Sequence, residues 1–276
     1  MKLSIIIPIY NNFDKLKTCL KSLKKQTIFE LFDVEIILVD DGSFCHPEFI
    51  SGSNKILKHP PDCSSQERAG VKDDKGTSNI FLNLFQNQDD IHKYTIKHSG
   101  ASAARNFGYS KSCGDYIFFC DADVIFLKNN ALELMIKKLE NNLNKAYCYS
   151  SFRYGWKKFK CGEFNAEKLK NNNYISTMSI IRRKALEKVI QTDKVGKNNP
   201  FDESLKKFQD WDLWLIMLEN NLTGIWINKV LWKVSAKGAI SSWLPKIFYK
   251  IFRNTKKIKE FEKAREIILQ KYRIIG

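Results

Sequence analysis

Residues 114–124 read GDYIFFCDADV. The run Tyr116–Phe119 is apolar and aromatic without interruption, the pattern of a short strand buried on both faces. It stops at Cys120-Asp121-Ala122-Asp123, where two carboxylates stand one residue apart on a tight turn. Such a pair offers oxygens to a hard divalent cation, which keeps several waters and bridges to substrate phosphates. A lone Asp-x-Asp is most often a solvated turn. Here a second pair, Asp40-Asp41, also closes an apolar run, and ligands of open α/β sheets collect at the carboxyl ends of strands.

Toward the N-terminus, Leu3 to Ile7 is a β-branched run that Pro8 and Asn11-Asn12 are expected to end. Leu16, Cys19, Leu20 and Leu23 then share one helical face. Val34 to Val39 is a further buried strand, stopped by Asp40-Asp41-Gly42-Ser43. Strand, helix and strand in so short a span make a βαβ unit and imply a parallel sheet. Residues 44–79 read as a long polar insertion, after which Phe81 to Phe85 and Tyr94 to Lys97 regain order. Ala101 to Tyr109 opens a helix. Downstream, Leu132, Met135, Ile136, Leu139 and Leu143 mark an amphipathic helix. Tyr174 to Ile181 reads as a strand and Lys184 to Ile190 as a short helix. Phe208, Trp211, Trp214, Leu215 and Leu218 form one face of a helix opened by Gln209-Asp210. The fold class is α/β.

With 43% hydrophobic and 28% charged residues, the 276-residue chain falls among globular proteins rather than disordered or fibrous ones. Its net charge of +16 calls for an anionic partner. Residues 229–276 hold 13 Lys and Arg against three Glu, so the positive charge concentrates in a tail. There Trp243, Leu244, Ile247, Phe248, Ile251 and Phe252 recur at helical spacing among lysines. The tail reads either as a membrane-surface element or as a C-terminal helix packed on the core. No apolar run is long enough to span a bilayer, and Pro8 argues against a signal peptide. Seven cysteines without a CxxC pair read as reduced thiols.

The series SIIIPIYNN (4–12), LKSLKKQT (20–27), EIILVDDGS (35–43), GASAARNFG (100–108), GDYIFFCDADV (114–124), FDESL (201–205) and QDWDLWL (209–215) resembles the glycosyltransferase family 2 enzymes of the GT-A fold. These transfer a sugar from a nucleotide-sugar with inversion. The resemblance implies a mixed, mostly parallel sheet in a catalytic domain over 1–230, carrying the insertion at 44–79, and a basic amphipathic tail over 231–276. It puts Pro8, Ile9 and Tyr10 in the loop after the first strand, where the nucleotide base packs. Asp41 would accept a hydrogen bond from the base imide N–H, a contact that favours uracil or thymine, and Arg105 would lie near the nucleotide or its phosphates. Asp121, with Ala122, would face the ribose or the metal's water shell, and Asp123 would ligate Mg²⁺ or Mn²⁺ on the diphosphate. Asp210 would be the general base, kept ionised and of low pKa by the helix dipole, with Asp212 as the competing candidate. Asp202 and Glu203 read as structural.

Two features depart from the family pattern: Gln209 stands where an acid is common, and all four histidines (46, 59, 92, 98) precede the Asp-x-Asp. The implied partners are a nucleotide-sugar, UDP-linked, and a glycan or lipid-linked acceptor of cell-envelope polysaccharide synthesis, with no nucleic acid. The implied location is cytoplasmic, peripheral on the inner face of the membrane if the tail binds lipid. A nucleotidyltransferase lacks support because no Gly-rich phosphate loop with a basic residue follows the first strand. A basic nucleic-acid-binding protein lacks a recognisable module.

Overall fold

The computed structural model describes residues 1–43, 91–234 and 256–274. The insertion at 44–79, the run Phe81 to Phe85 and the stripe from Trp243 to Phe252 lie outside them. Among the described residues one sheet contains β1 (Lys2–Ile9), β2 (Asp33–Asp40), β3 (Ile91–Thr95), β4 (Tyr116–Phe119), β5 (Val124–Phe126), β6 (Tyr147–Tyr154), β7 (Lys157–Phe159), β8 (Ile180–Arg182) and β9 (Gly224–Val234). The helices are α1 (Phe13–Leu23), α2 (Ile28–Leu31), α3 (Ala101–Ser110), α4 (Ala131–Glu140), α5 (Ala166–Asn171), α6 (Arg183–Ile190), α7 (Gln209–Glu219) and α8 (Lys256–Lys271).

The strand order is β3-β2-β1-β4-β8-β6-β9-β5, with β7 hairpinned onto β6. From β3 to β4 every pairing is parallel. Beyond β4 the sheet is mixed: β8 is antiparallel to β4 and β6, β9 is parallel to β6, and β5 is antiparallel to β9. Ile5, Ile6 and Ile7 of β1, Ile36 and Ile37 of β2, and Phe118 and Phe119 of β4 are fully buried. Each such side chain contributes about 1.5–3 kcal/mol. Leu16, Cys19, Leu20 and Leu23 form the buried face of α1, as their spacing requires.

Several expectations change. Pro8 does not end the first strand: β1 runs through Pro8 and Ile9, paired with Val39 and Asp40 of β2. At that level β1 has only β2 beside it, because β4 pairs no further than Ile6, so a residue without an N–H is tolerated there. The helix α4 stops at Glu140, and Leu143 lies beyond it, exposed. Of the strand expected over Tyr174 to Ile181, only Ile180–Arg182 is strand. The boundary expected at 230 falls inside β9. Cys113 is disulfide-bonded, against the expectation of reduced thiols throughout, whereas Cys19, Cys120, Cys148 and Cys161 are free. The far end of the chain packs on the core: Ile268 of α8 is buried, and Lys271 Nζ reaches Asp202 and Asp212, each at 2.9 Å.

Helix α3 lies close against β1 and β2 because Gly108 has no side chain. A Cβ there would sit 2.4 Å from Ile6 Cγ2 and 3.3 Å from Val39 Cγ2. Gly108→Ala would gain at most about 1 kcal/mol of helix propensity. Overpacking a buried β-branched neighbour costs about 1–3 kcal/mol. The substitution is therefore expected to destabilise the protein, read as a lower urea midpoint with an unchanged slope.

Candidate active site

The carboxyl ends of β1, β2 and β4 meet the N-termini of α3 and α7. After β1, the half-exposed Tyr10 ring stacks on His98, with centroids 4.2 Å apart and planes inclined by 17°. His98 is held from behind by Asp41, whose Oδ2 lies 2.9 Å from its Nδ1. The same carboxylate accepts the backbone N–H of Ser99 (2.7 Å) and of Gly100 (2.9 Å). Gly100 has φ +99, a conformation natural to glycine, and leads directly into α3. Asp41 is thus buried and occupied in shaping the 98–100 loop, which carries the ring that meets Tyr10. The expectation for Pro8 and Ile9 is corrected: both belong to β1. Ile9 is a core side chain whose carbonyl accepts the Asp41 N–H at 2.8 Å. Of the three residues expected around a base, Tyr10 alone is exposed.

Arg105, on α3, does not stand free for phosphates. Its guanidinium donates to Asp121 Oδ1 at 2.7 Å and lies 5.6 Å from the centre of the Phe201 ring. The pair pins the first carboxylate of the turn after β4, and the Asp121 N–H points to Met178 Sδ at 3.4 Å. Ala122 is buried between the two acids. Asp123 Oδ2 lies 3.8 Å from Lys15 Nζ of α1. Burial, and then the charge of Asp121, push the Asp123 carboxyl above the usual carboxylate range, against the pull of Lys15. Beneath the turn, Cys19 and Cys120 lie with their sulfurs 3.8 Å apart. The hydrogen bond with Cys19 and complete burial push the Cys120 thiol well up, so it stays protonated and inert.

Among the described residues no three His, Cys, Asp or Glu side chains form a metal cage. The donor set at the turn is one or two carboxylates, suited to a hard cation that keeps water and substrate oxygens as its other ligands. Two like charges held close are the arrangement such a cation relieves.

Asp210 is the second residue of α7. Its Oδ1 accepts from Asn173 Nδ2 and from the Trp211 N–H, each at 2.9 Å. The helix register is locked by Trp211 Nε1 on the Leu169 carbonyl (2.7 Å) and Trp214 Nε1 on the Ile175 carbonyl (2.9 Å). The expected low pKa is corrected. Burial pushes the Asp210 carboxyl up, and the hydrogen bonds from Asn173 and Trp211 and the charge of Arg105 recover only part of the shift. Asp212, the competing candidate, is 1% exposed. It binds Lys271 and the Tyr272 hydroxyl (2.7 Å), which makes it the anchor of α8. Asp202 shares Lys271, and Glu203 accepts from Asn106 at 2.8 Å; both serve structure.

Sequence reasoning missed His98, Lys15 and Asn173. His98 immediately precedes the SGASAARN stretch, a signal that was available. Asn173 ends a run of three asparagines in a loop without a readable pattern. The Asp210 carboxyl is expected to titrate above the ordinary aspartate range in a carboxyl-carbon NMR titration. Asn173→Ala, which removes a bond to the ionised form, is expected to move it higher still. A titration at or below the ordinary value would contradict this geometry.

A family model described as Glycosyl transferase family 2 matches residues 4–46 and 71–190. A Rickettsia bellii protein described as an uncharacterized glycosyltransferase is 31% identical over 241 residues, 86% of this chain and 29% of its own length. The Bacillus subtilis minor teichoic acid biosynthesis protein GgaA is 34% identical over 128 residues, 46% of this chain and 22% of its own. The chain thus spans less than a third of the length of these two relatives. Among solved structures, that of S. aureus TarS 1-349 in complex with UDP-GlcNAc superposes with a TM-score of 0.60 at 16% identity, over 99% of this chain and 72% of that one. The GT-A fold is shared.

Proposed function

The chain belongs to glycosyl transferase family 2, and from that premise we propose that it moves a glycosyl group, with inversion, from a UDP-linked sugar to a hydroxyl of a glycan or lipid-linked acceptor in cell-envelope polysaccharide synthesis. One observation carries this reading: the Tyr10–His98 stack, the Asp121–Asp123 turn and Asp210 gather at one edge of the sheet. A relative named for teichoic acid biosynthesis and a shared fold with a protein solved with UDP-GlcNAc support it.

In this reading Tyr10 offers its ring to the base, and Asp41 fixes the loop that completes the pocket wall. Arg105 keeps Asp121 oriented toward the ribose side. Asp123 would hold Mg²⁺ or Mn²⁺, which supplies a Lewis acid to the departing diphosphate when bound. Asp210 removes the proton from the acceptor hydroxyl. Its Oδ1 is taken by Asn173 and Trp211, so Oδ2 is the oxygen that receives the proton. A raised pKa makes this carboxylate the stronger base once ionised. Among the described residues no helix is long and apolar enough to cross a membrane. The reading sets the enzyme in the cytoplasm, peripheral on the inner face of the membrane if the basic tail binds lipid.

Asp210→Asn is expected to lower turnover roughly 10²–10⁴-fold, the loss of general-base catalysis, with donor affinity nearly unchanged. In the intact protein, activity should fall with decreasing pH around a value above the ordinary aspartate range, because protonation of Asp210 removes the base. Asp123→Asn is expected to abolish the gain in UDP affinity that Mn²⁺ gives, measured by calorimetry. An unchanged Mn²⁺-dependent affinity would remove Asp123 from the site. Hydrolysis of a panel of nucleotide-sugars, with and without Mn²⁺, tests the donor class.

A further inference from the structure

The far end of the sheet carries opposite chemistries on its two faces. Phe126 of β5, Trp232 of β9, Phe152 of β6 and Phe159 of β7 are in register and form an aromatic row, with Phe152 stacked on Phe159 at 5.2 Å. One residue along, on the opposite face, the register aligns Ile125, Lys233, Arg153 and Lys158. Successive residues of a strand point to opposite faces, and neighbouring strands lie about 4.8 Å apart. Three cations therefore stand side by side on adjacent strands, all exposed. Like charges directly opposite one another weaken strand pairing, and among the described residues no carboxylate joins this row.

The same hairpin adds the exposed Lys160, packed over the Trp226 ring (5.7 Å), while Lys157, exposed over the Phe159 ring (5.1 Å), belongs to the aromatic face. Its two-residue turn, Gly155-Trp156, puts the glycine at φ +56 and leaves the indole wholly exposed, at 103%. Residues 153–160 contain no carboxylate and no carboxamide. Lys and Arg only donate hydrogen bonds. The face therefore suits a partner rich in acceptor oxygens and negative charge and is poorly equipped for a neutral sugar, which needs acceptors as well as donors. The row also has a direction. It leads across the sheet to Ile125 of β5, the second residue after Asp123.

We infer that this face is the docking track of a phosphodiester-bearing acceptor chain, lying along Lys158, Arg153 and Lys233 and reaching the donor site beside Asp123, with Trp156 as a stacking platform at its outer end. This rests on the glycosyl-transfer reading and names the acceptor class for it. An anionic bilayer fits less well, because the hairpin tip offers one apolar side chain and the cations run across the sheet rather than around the tip.

The test uses the full chain. Binding of a poly(glycerol phosphate) oligomer, a neutral dextran oligomer, and vesicles of equimolar phosphatidylglycerol and phosphatidylcholine is measured for the parent. The same is done for the triple variant Arg153→Gln, Lys158→Gln, Lys233→Gln. A second triple variant, Lys17→Gln, Lys21→Gln, Lys24→Gln, removes equal charge from the exposed side of α1 and the residue that follows it. The expected result is salt-dependent binding of the phosphate oligomer but not of dextran. The sheet variant should weaken it about tenfold, the size expected for three exposed charge contacts, and the α1 variant should leave it unchanged. UDP affinity serves as the folding control. Equal losses in both variants, no loss in either, or loss of vesicle binding alone would overturn the inference. Failure of the parent to bind UDP would instead count against the glycosyl-transfer reading.

Discussion

The site depends on one constraint, the burial of β1 between β2 and β4 with all three strands parallel. An unbroken run of isoleucines has no solvated face, so β1 takes a central place with helices covering both sides. Parallel pairing then brings the carboxyl ends of three strands to the same edge. Tyr10, Asp41 and the Asp121–Asp123 turn owe their proximity to this, although they are far apart in the chain. α3 completes the edge only because Gly108 lets it approach β1, which brings Arg105 within reach of Asp121.

That edge concentrates negative charge. Asp121 raises the carboxyls of both Asp123 and Asp210. Arg105 and Lys15 answer part of it, one by a close ion pair and the other from 3.8 Å. Such a cluster does little for stability on its own, since desolvating carboxylates costs more than loose pairing returns. The fold compensates elsewhere. The two indoles of α7 bond backbone carbonyls, and Asp212, Lys271 and Tyr272 fasten α8 to the same helix. Phe208, at the start of α7, has φ +62, a conformation costing a bulky side chain about 1–2 kcal/mol. It is held there by Trp211 and Phe261, with ring centres 5.4 and 4.9 Å away. The N-terminus of the helix that presents Asp210 is thus set by packing rather than by a capping side chain.

The two halves of the sheet divide their tasks. β1 to β4 present the edge that carries Tyr10, Asp41 and the Asp121–Asp123 turn. The mixed half from β8 to β5 buries an aromatic row and turns a row of cations outward. β5 links them, since it begins directly after Asp123. The charge that composition reveals is therefore not confined to the tail: part of it is ordered on a sheet face next to the proposed site.

The sequence by itself determined the α/β class, the parallel βαβ start and the turns where Asp41, Asp121 and Asp123 fall, because buried strands and their breaks leave a local hydrophobic pattern. Through an ordered set of motifs it also named Asp210 as the base candidate, with Asp212 competing. It could not tell what each carboxylate would touch. That Asp41 folds the 98–100 loop, that Arg105 is spent on Asp121, that Asp210 is raised rather than lowered, and that Asp212 anchors a distant helix all depend on contacts between residues remote in the chain. The cation row was illegible for the same reason. Arg153, Lys158 and Lys233 look like scattered surface charges until strand register sets them side by side, and register is a property of the whole sheet, fixed only when its buried face is packed.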